Sequence, residues 1–189
     1  MGEATKPDSV SEARKKRREQ IVNAAKTLLG AAVTDDFDPV HSPLCAVDVV
    51  MVAGAPWLKE ALERDYSKDE SGYKKIGGGA NTPKAAYFFR SAANLMHFLK
   101  RQGLYIPRGA KPEPAAGMAC FLDWADRGRF NFAPDRSGII IAANKNQIET
   151  IVVPKDRPVS GGHRYVVEQV FIEPKSPEDV AIIGYSDLP

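Results

Sequence analysis

Cysteine and histidine are scarce in this sequence, and their scarcity restricts the chemistry available to it. Only two cysteines, Cys45 and Cys120, and three histidines occur among 189 residues. Two cysteines are too few for a disulfide framework, although a single bridge is compatible with them. There is no Cys-x-x-Cys, and no two histidines have the spacing of metal ligands. We therefore expect no zinc or other metal site and no cofactor.

Neither sign of charge dominates, and no apolar run is long. The formal net charge is +2, so bulk electrostatics do not favour a specific nucleic-acid partner. No stretch approaches the roughly 20 apolar residues that cross a bilayer, so we expect no transmembrane segment. The first ten residues lack the apolar core of a signal peptide. This leaves a cytoplasmic protein, or a periplasmic or extracellular one whose leader has been removed, and it leaves the oligomeric state unknown.

The basic residues are concentrated near the N-terminus, where positions 14–18 are all Arg or Lys. Such a run is usually a solvated face of a helix. The alternative is contact with an anionic wall polymer, a membrane surface or nucleic acid. In that case the chain could be a structural or toxin-associated module that docks through this helix.

The apolar pattern predicts helices first and strands second. Residues 1–10 are expected to form a disordered tail, and 11–189 a single domain. Start and stop signals predict helices from Ser11 to about Leu29, over 44–53, over 57–64 and from Thr82 to Gln102, with a surface loop over 66–81. Short β-rich runs follow at 118–122, 138–143, 148–153 and 165–172. The order predicts an α+β fold in which N-terminal helices pack on a C-terminal antiparallel sheet.

Cys45 occupies a position suited to a nucleophile. Ser42 and Pro43 form a helix start signal, which makes Cys45 the third residue of its helix. Unpaired N–H groups and the helix dipole stabilise a thiolate there and lower the pKa of the thiol. The alternative is a cysteine that only fills space in the core. Cys120 lies within an apolar run and is predicted to be a core residue.

Several segments resemble one family in order and spacing. These are residues 21–30, the loop Asp36-Phe37-Asp38, Cys45 at the start of an apolar helix, residues 90–103, residues 117–121 and residues 137–140. Together they resemble the NlpC-type papain-like cysteine peptidase and amidase superfamily. Within it, they are most similar to the bacterial domain of unknown function 1287. The resemblance extends from about residue 20 to 170. It implies a papain-like fold and cleavage of amide bonds in peptidoglycan or related peptides.

The resemblance also implies a histidine partner for the thiolate, and here the sequence departs from the family. The position that usually holds the histidine is Arg136, followed by Ser137. Arginine does not lose its proton in proteins and cannot act as a base. The later strand, at 151–154, has neither histidine nor asparagine. Two other histidines are candidates for the base: His41, four residues before Cys45, and His163, which follows two glycines. His97 is predicted to lie on a helix face without a role in the site.

A second group of residues is expected to contact the substrate. Asp48 follows Cys45 by three positions on the predicted helix and can share its face. The remaining candidates lie where the superfamily's cleft would be, and they are Asp123, Trp124, Arg136 and Ser137.

Two functions remain open from the sequence. The first is a cysteine hydrolase of amide bonds, of the cell-wall peptidase or amidase type, with a peptide or peptidoglycan-like substrate and Cys45 as nucleophile. The second is a catalytically inactive relative that binds a peptide, glycan or protein partner, because Arg136 stands in place of the histidine.

Overall fold

A computed structural model describes residues 8–34, 49–50, 53, 57–77, 79, 81–85, 88–124, 134, 136–144, 147–154, 164–172 and 180–188. The helices are α1 (Asp8–Lys26), α2 (Trp57–Tyr66), α3 (Glu70–Gly77) and α4 (Ala92–Arg101), with a short 3₁₀ helix at Phe88–Arg90. The strands are β1 (Ala32–Thr34), β2 (Tyr105–Pro107), β3 (Ala119–Trp124), β4 (Arg136–Ala143), β5 (Ile148–Val152), β6 (Arg164–Val166), β7 (Glu168–Ile172) and β8 (Val180–Ser186).

Six of the strands form one antiparallel sheet in the order β2-β8-β3-β4-β5-β7. β1 and β6 form a separate antiparallel pair. The predicted α+β class is therefore confirmed at the level of four helices and an antiparallel sheet. None of the described helices combines the length and apolar character needed to cross a membrane. The assignment of 11–189 to one domain stays a prediction.

The central strands of the six-stranded sheet are buried on both faces, each face in its own apolar cluster, whereas the edge strand β7 is partly exposed. The first cluster joins the helices to the sheet through residues such as Ile21, Leu58, Leu95 and Phe121. The second cluster is built from the strands, with Cys120, Leu122, Ile140, Ile182 and Tyr185 among its members. Because successive strand residues point to opposite faces, the run Ala119 to Leu122 contributes alternately to the two clusters.

The helix predicted over 44–53 is described at three positions. Val49, Val50 and Ala53 are helical and buried in the first cluster. These positions lie on one side of a helix, and that side packs in the core; burial on all sides stays a prediction.

Three predicted boundaries are wrong. α1 begins at Asp8, so Ser11 lies inside it and is not its cap, and the last three residues of the predicted tail are helical. The expected loop over 66–81 contains α3, which is held by an i,i+4 pair between Glu70 and Lys74. The helix expected from Thr82 begins at Ala92, because the Ser91 hydroxyl caps it by accepting a bond from the Asn94 N–H at 3.2 Å.

Candidate functional site

Four residues assigned to the site from sequence lie outside the described residues. They are His41, Cys45, Asp48 and His163, and their roles stay predictions. The structure does describe the continuation of the helix that the sequence places behind Cys45. Val49 and Val50 follow the cysteine by four and five positions and are fully buried. Their side chains belong to the cluster on the helix-facing side of the sheet.

Two of the predicted substrate contacts lie together on this same side of the sheet. Ser137 of β4 pairs with Phe121 of β3, a member of the first cluster. Asp123 lies two residues beyond Phe121, so strand alternation places it on that face as well. Both side chains are buried. We call Asp123 and Ser137 the β3–β4 polar pair.

The hydroxyl of Ser137 is the unusual member of the pair. Its Oγ is buried and makes no hydrogen bond to any group in the described part of the chain. A buried polar atom without a partner costs about 1–3 kcal/mol, so such atoms are rare and often mark a site of function.

Arg136 lies on the other side of the sheet from this pair. It pairs with Leu122, a member of the second cluster. Trp124 ends β3 and pairs with Val180 of β8. The register therefore brings Asp123 and Ser137 to one face and separates Arg136 from them, whereas the sequence grouped all four residues as one binding surface.

Cys120 is confirmed as a core residue. It is fully buried in the second cluster, with its Sγ 3.2 Å from Thr150 Oγ1 and 3.6 Å from the carbonyl oxygen of Gly138. Burial raises the pKa of the Cys120 thiol to about 11. A thiol that is sealed and protonated at neutral pH cannot act as the nucleophile.

The helical layer contains a polar cluster that the sequence analysis missed. The Asp65 carboxylate, only 4% exposed, accepts bonds from Tyr73 Oη at 2.8 Å and Arg101 Nε at 2.9 Å. Asp69 Oδ2 lies 2.7 Å from His97 Nε2 and 3.3 Å from Arg101 Nη1. The His97 ring meets the Tyr73 ring edge-on, with centroids 4.9 Å apart. These five residues are named the ionic cluster.

The electrostatics of the ionic cluster favour a structural role. Burial and the bond to Asp65 raise the pKa of Tyr73, so its phenol stays a donor. The hydrogen bond from His97 lowers the pKa of Asp69 and keeps that carboxylate charged. Through Asp65, Tyr73 and Arg101, the cluster connects α2, α3 and α4 by hydrogen bonds. Its sequence signal is the matched i,i+4 spacing of Asp65 with Asp69 and of His97 with Arg101.

Metal binding finds no support in the part of the chain that the structure describes. Within it, no group of three or more His, Cys, Asp or Glu side chains is arranged to hold a metal ion.

A comparison of the chain with protein-family models, curated proteins and solved structures finds no match to any of them. The resemblance to the NlpC-type superfamily therefore rests on the sequence motifs alone.

Proposed function

We propose that the protein is a papain-like cysteine hydrolase that cleaves amide bonds in cell-wall peptides or similar peptides, with Cys45 as its nucleophile. We also propose that the chain is related to the family called domain of unknown function 1287. The α+β architecture is compatible with it.

One observation carries the proposal. The buried helical residues Val49 and Val50, which follow Cys45, and the β3–β4 polar pair belong to the same side of the six-stranded sheet. A nucleophile at the start of a buried helix has a rigid mount. The unpartnered hydroxyl of Ser137 adds a donor on that side of the sheet which no described group uses.

The reaction needs three roles. An imidazole takes the thiol proton, the Cys45 thiolate attacks the amide carbonyl carbon, and the resulting imidazolium protonates the departing amine as the thioester forms. Water then hydrolyses the thioester and regenerates the thiol and imidazole. His41 and His163 are the candidates for the imidazole. Asp123 and Ser137, which the sequence assigned to substrate contact, have buried side chains. We therefore assign them to supporting the cleft from within the fold rather than to touching the substrate.

Alkylation by iodoacetamide, measured between pH 5 and 10, tests the activation of Cys45. The reagent reacts with thiolates, so the rate reports the thiol pKa. Peptide mapping separates the two cysteines without any mutation. We expect Cys45 to react with an apparent pKa well below the value of about 8.5 for a free thiol, and Cys120 to react only after unfolding. An apparent pKa at or above that value would contradict the proposal.

Release of amine from soluble muropeptides tests the reaction itself. Cys45→Ser should abolish release, whereas Cys120→Ala, which removes the other thiol, should leave it measurable. His41→Gln and His163→Gln identify the base, because only the loss of the true base should remove the pH dependence of hydrolysis. Equal release by the Cys45→Ser variant would exclude Cys45 as nucleophile.

A second candidate function, a binding protein without catalysis, is favoured by two specific observations. Arg136 occupies the usual histidine position and pairs with Leu122 on the opposite side of the sheet. His97, the histidine that the structure describes, is engaged by Asp69 and Tyr73. This function predicts saturable muropeptide binding, no hydrolysis, and ordinary reactivity of Cys45.

A further inference from the structure

A groove runs along one face of α1, and neither residue of the β3–β4 polar pair is among its described lining residues. Its volume is about 560 Å³, within the range of roughly 300–1,000 Å³ that is typical of ligand sites. One wall consists of α1 side chains spaced three or four residues apart, from Ser11 to Val22, and the other is formed by Ala115 and Ala116. A groove lined by one helix face favours an elongated occupant.

The helix that forms this wall is firmly held. Ile21 and Ala25 are buried in the first cluster. Gly117 approaches so closely that a Cβ there would lie 2.6 Å from the Arg18 Cα. On another side of α1, the Arg17 guanidinium lies 5.6 Å from the centre of the Trp57 ring. The groove is therefore a fixed feature of the fold.

The described lining of the groove contains more basic than acidic residues. Among the described residues that line it, Arg14, Lys15 and Arg18 are basic and Glu19 is acidic. Arg14 and Lys15 are exposed, Arg14 to the extent of 65% of its side chain. Two of these cations, Arg14 and Arg18, already pair with Asp187, so an acidic occupant would meet Lys15 directly and would compete with Asp187 for the two arginines.

The chain itself shows that this wall accepts a carboxylate. Asp187 lies between Arg14 Nε, at 3.1 Å from one oxygen, and Arg18 Nε, at 2.8 Å from the other. Two guanidinium groups on consecutive turns of α1 thus share one carboxylate. A ligand carboxylate that displaced Asp187 would find the same two donors and, in addition, Lys15.

The dimensions favour a peptide over a nucleic acid or a membrane. From Ser11 to Val22 the helix advances about 17 Å, which matches about five residues of extended chain. The groove is concave, unlike the surface that docks on a flat bilayer. No aromatic side chain is present in its described lining to stack on bases.

We propose that the α1 groove binds an acidic peptide segment of about five residues in extended form, independently of any hydrolytic activity. The Arg14–Arg18 face recognises its carboxylates, and Asp187 occupies part of that face until the peptide displaces it.

Fluorescence anisotropy with a labelled Asp/Glu-rich hexapeptide tests this proposal on the full chain. Lys15→Glu should weaken binding on the order of tenfold, because it places a like charge inside the groove. Lys16→Glu is the matched control, since it makes the same charge change on the next residue of α1, outside the groove lining. It should alter affinity by less than about twofold. Equal losses in both variants would overturn the proposal.

Asp187→Asn gives an independent measurement. Removal of the internal carboxylate should tighten binding by roughly threefold, as expected for loss of a weak competing ion pair. Unchanged or weaker binding, with α1 still folded by circular dichroism, would contradict displacement of Asp187. An uncharged Asn/Gln hexapeptide should not bind. Tighter binding of an RNA oligonucleotide or of phosphatidylglycerol vesicles, with the same loss in Lys15→Glu, would overturn the assignment to a peptide.

Discussion

The two faces of the six-stranded sheet are buried by different means. The second cluster is formed by the strands and their flanking residues, and its polar atoms at Cys120 and Thr150 bond to one another. The first face meets helices, and the buried carboxylate and amide groups of the described residues lie on that side of the sheet or in the helical layer. They are Asp65, Asn81, Asn94 and Asp123.

The two regions are therefore stabilised by different interactions. The second cluster depends on close apolar contact, so its energy is lost through cavities or clashes. The helical layer depends on partners for each polar group. Asn81 and Asn94 illustrate this, because their side-chain amides bond reciprocally at 2.9 and 3.0 Å. We expect the loss of unfolding free energy in the second cluster to scale with the side-chain volume removed. In the helical layer we expect it to scale with the number of buried polar groups left without a hydrogen-bond partner.

The largest effect should come from Leu122→Ala in the second cluster. Leu122 is fully buried, and β4 and β8 pair on either side of it. We expect the free energy of unfolding to fall by about 4 kcal/mol, from lost burial and the cavity that remains. Urea denaturation measures it. Val170→Ala, at a partly exposed position of the edge strand, is the control and should cost about 1 kcal/mol. Equal losses would mean that the two positions are packed alike.

Asp65→Ala should be next, at about 3 kcal/mol. Breaking a buried ion pair leaves the partner charge uncompensated, and the loss lies at the low end because Arg101 keeps 34% of its side chain exposed. Asp65→Asn retains an acceptor for the Tyr73 hydroxyl and should cost less. Thermal denaturation of the two variants distinguishes the contribution of the Asp65 charge from that of its hydrogen bond to Tyr73. If Asn is as damaging as Ala, the charge alone matters.

Gly138→Ala should cost about 2 kcal/mol, through overpacking rather than a cavity. An added Cβ would lie 2.6 Å from the Ile151 carbonyl oxygen, which belongs to the neighbouring strand and cannot rotate away. Gly79→Ala is the matched control, since a Cβ at Gly79 meets no atom within 4 Å. Urea midpoints of the two variants should differ clearly. Similar midpoints would show that β4 and β5 can separate locally.

The smallest effect should be the pH dependence contributed by Asp69. Its pKa is lowered in the folded protein below the ordinary value of 3.8. A lowered carboxyl pKa stabilises the fold above that ordinary value, and the contribution is lost as the pH falls through the folded pKa. Asp69→Asn should therefore be less stable than the parent at pH 7, with the gap closing below about pH 4. A gap that persists at pH 2 would assign the loss to packing.

The sequence pattern predicted the strand-rich half well. All four β-rich runs contain strands, because short apolar runs bounded by turn residues are typical of strands that are buried on both faces. β8 was not predicted, although its apolar run is visible at 180–186. Its position between β2 and β3 depends on pairings far apart in the chain, which no local pattern contains.

The helices were harder to predict from the sequence, because tertiary contacts rather than local apolar patterns set their positions. The charged, glycine-rich stretch that became α3 has little apolar periodicity. Its place is set by the bond from the Asn81 amide to the Tyr73 carbonyl oxygen and by the contact of Tyr73 with Asp65. For the site, the sequence nominated Asp123 and Ser137, which the structure brings to one face. The sequence could not show that Arg136 lies on the other face of the sheet, because this follows only from the register of β3 with β4.

The position of β8 has a consequence for how the chain is made. β3 needs β8 along one edge and β4 along the other, so a nascent chain that has emerged only to β7 leaves β3 with an open edge. Arg18 of α1 pairs with Asp187, which lies 169 positions later in the chain. Contacts of such separation slow folding. A chain that has not yet added β8 would thus leave one edge of β3 without its strand partner, and an open strand edge is a site where chains can associate.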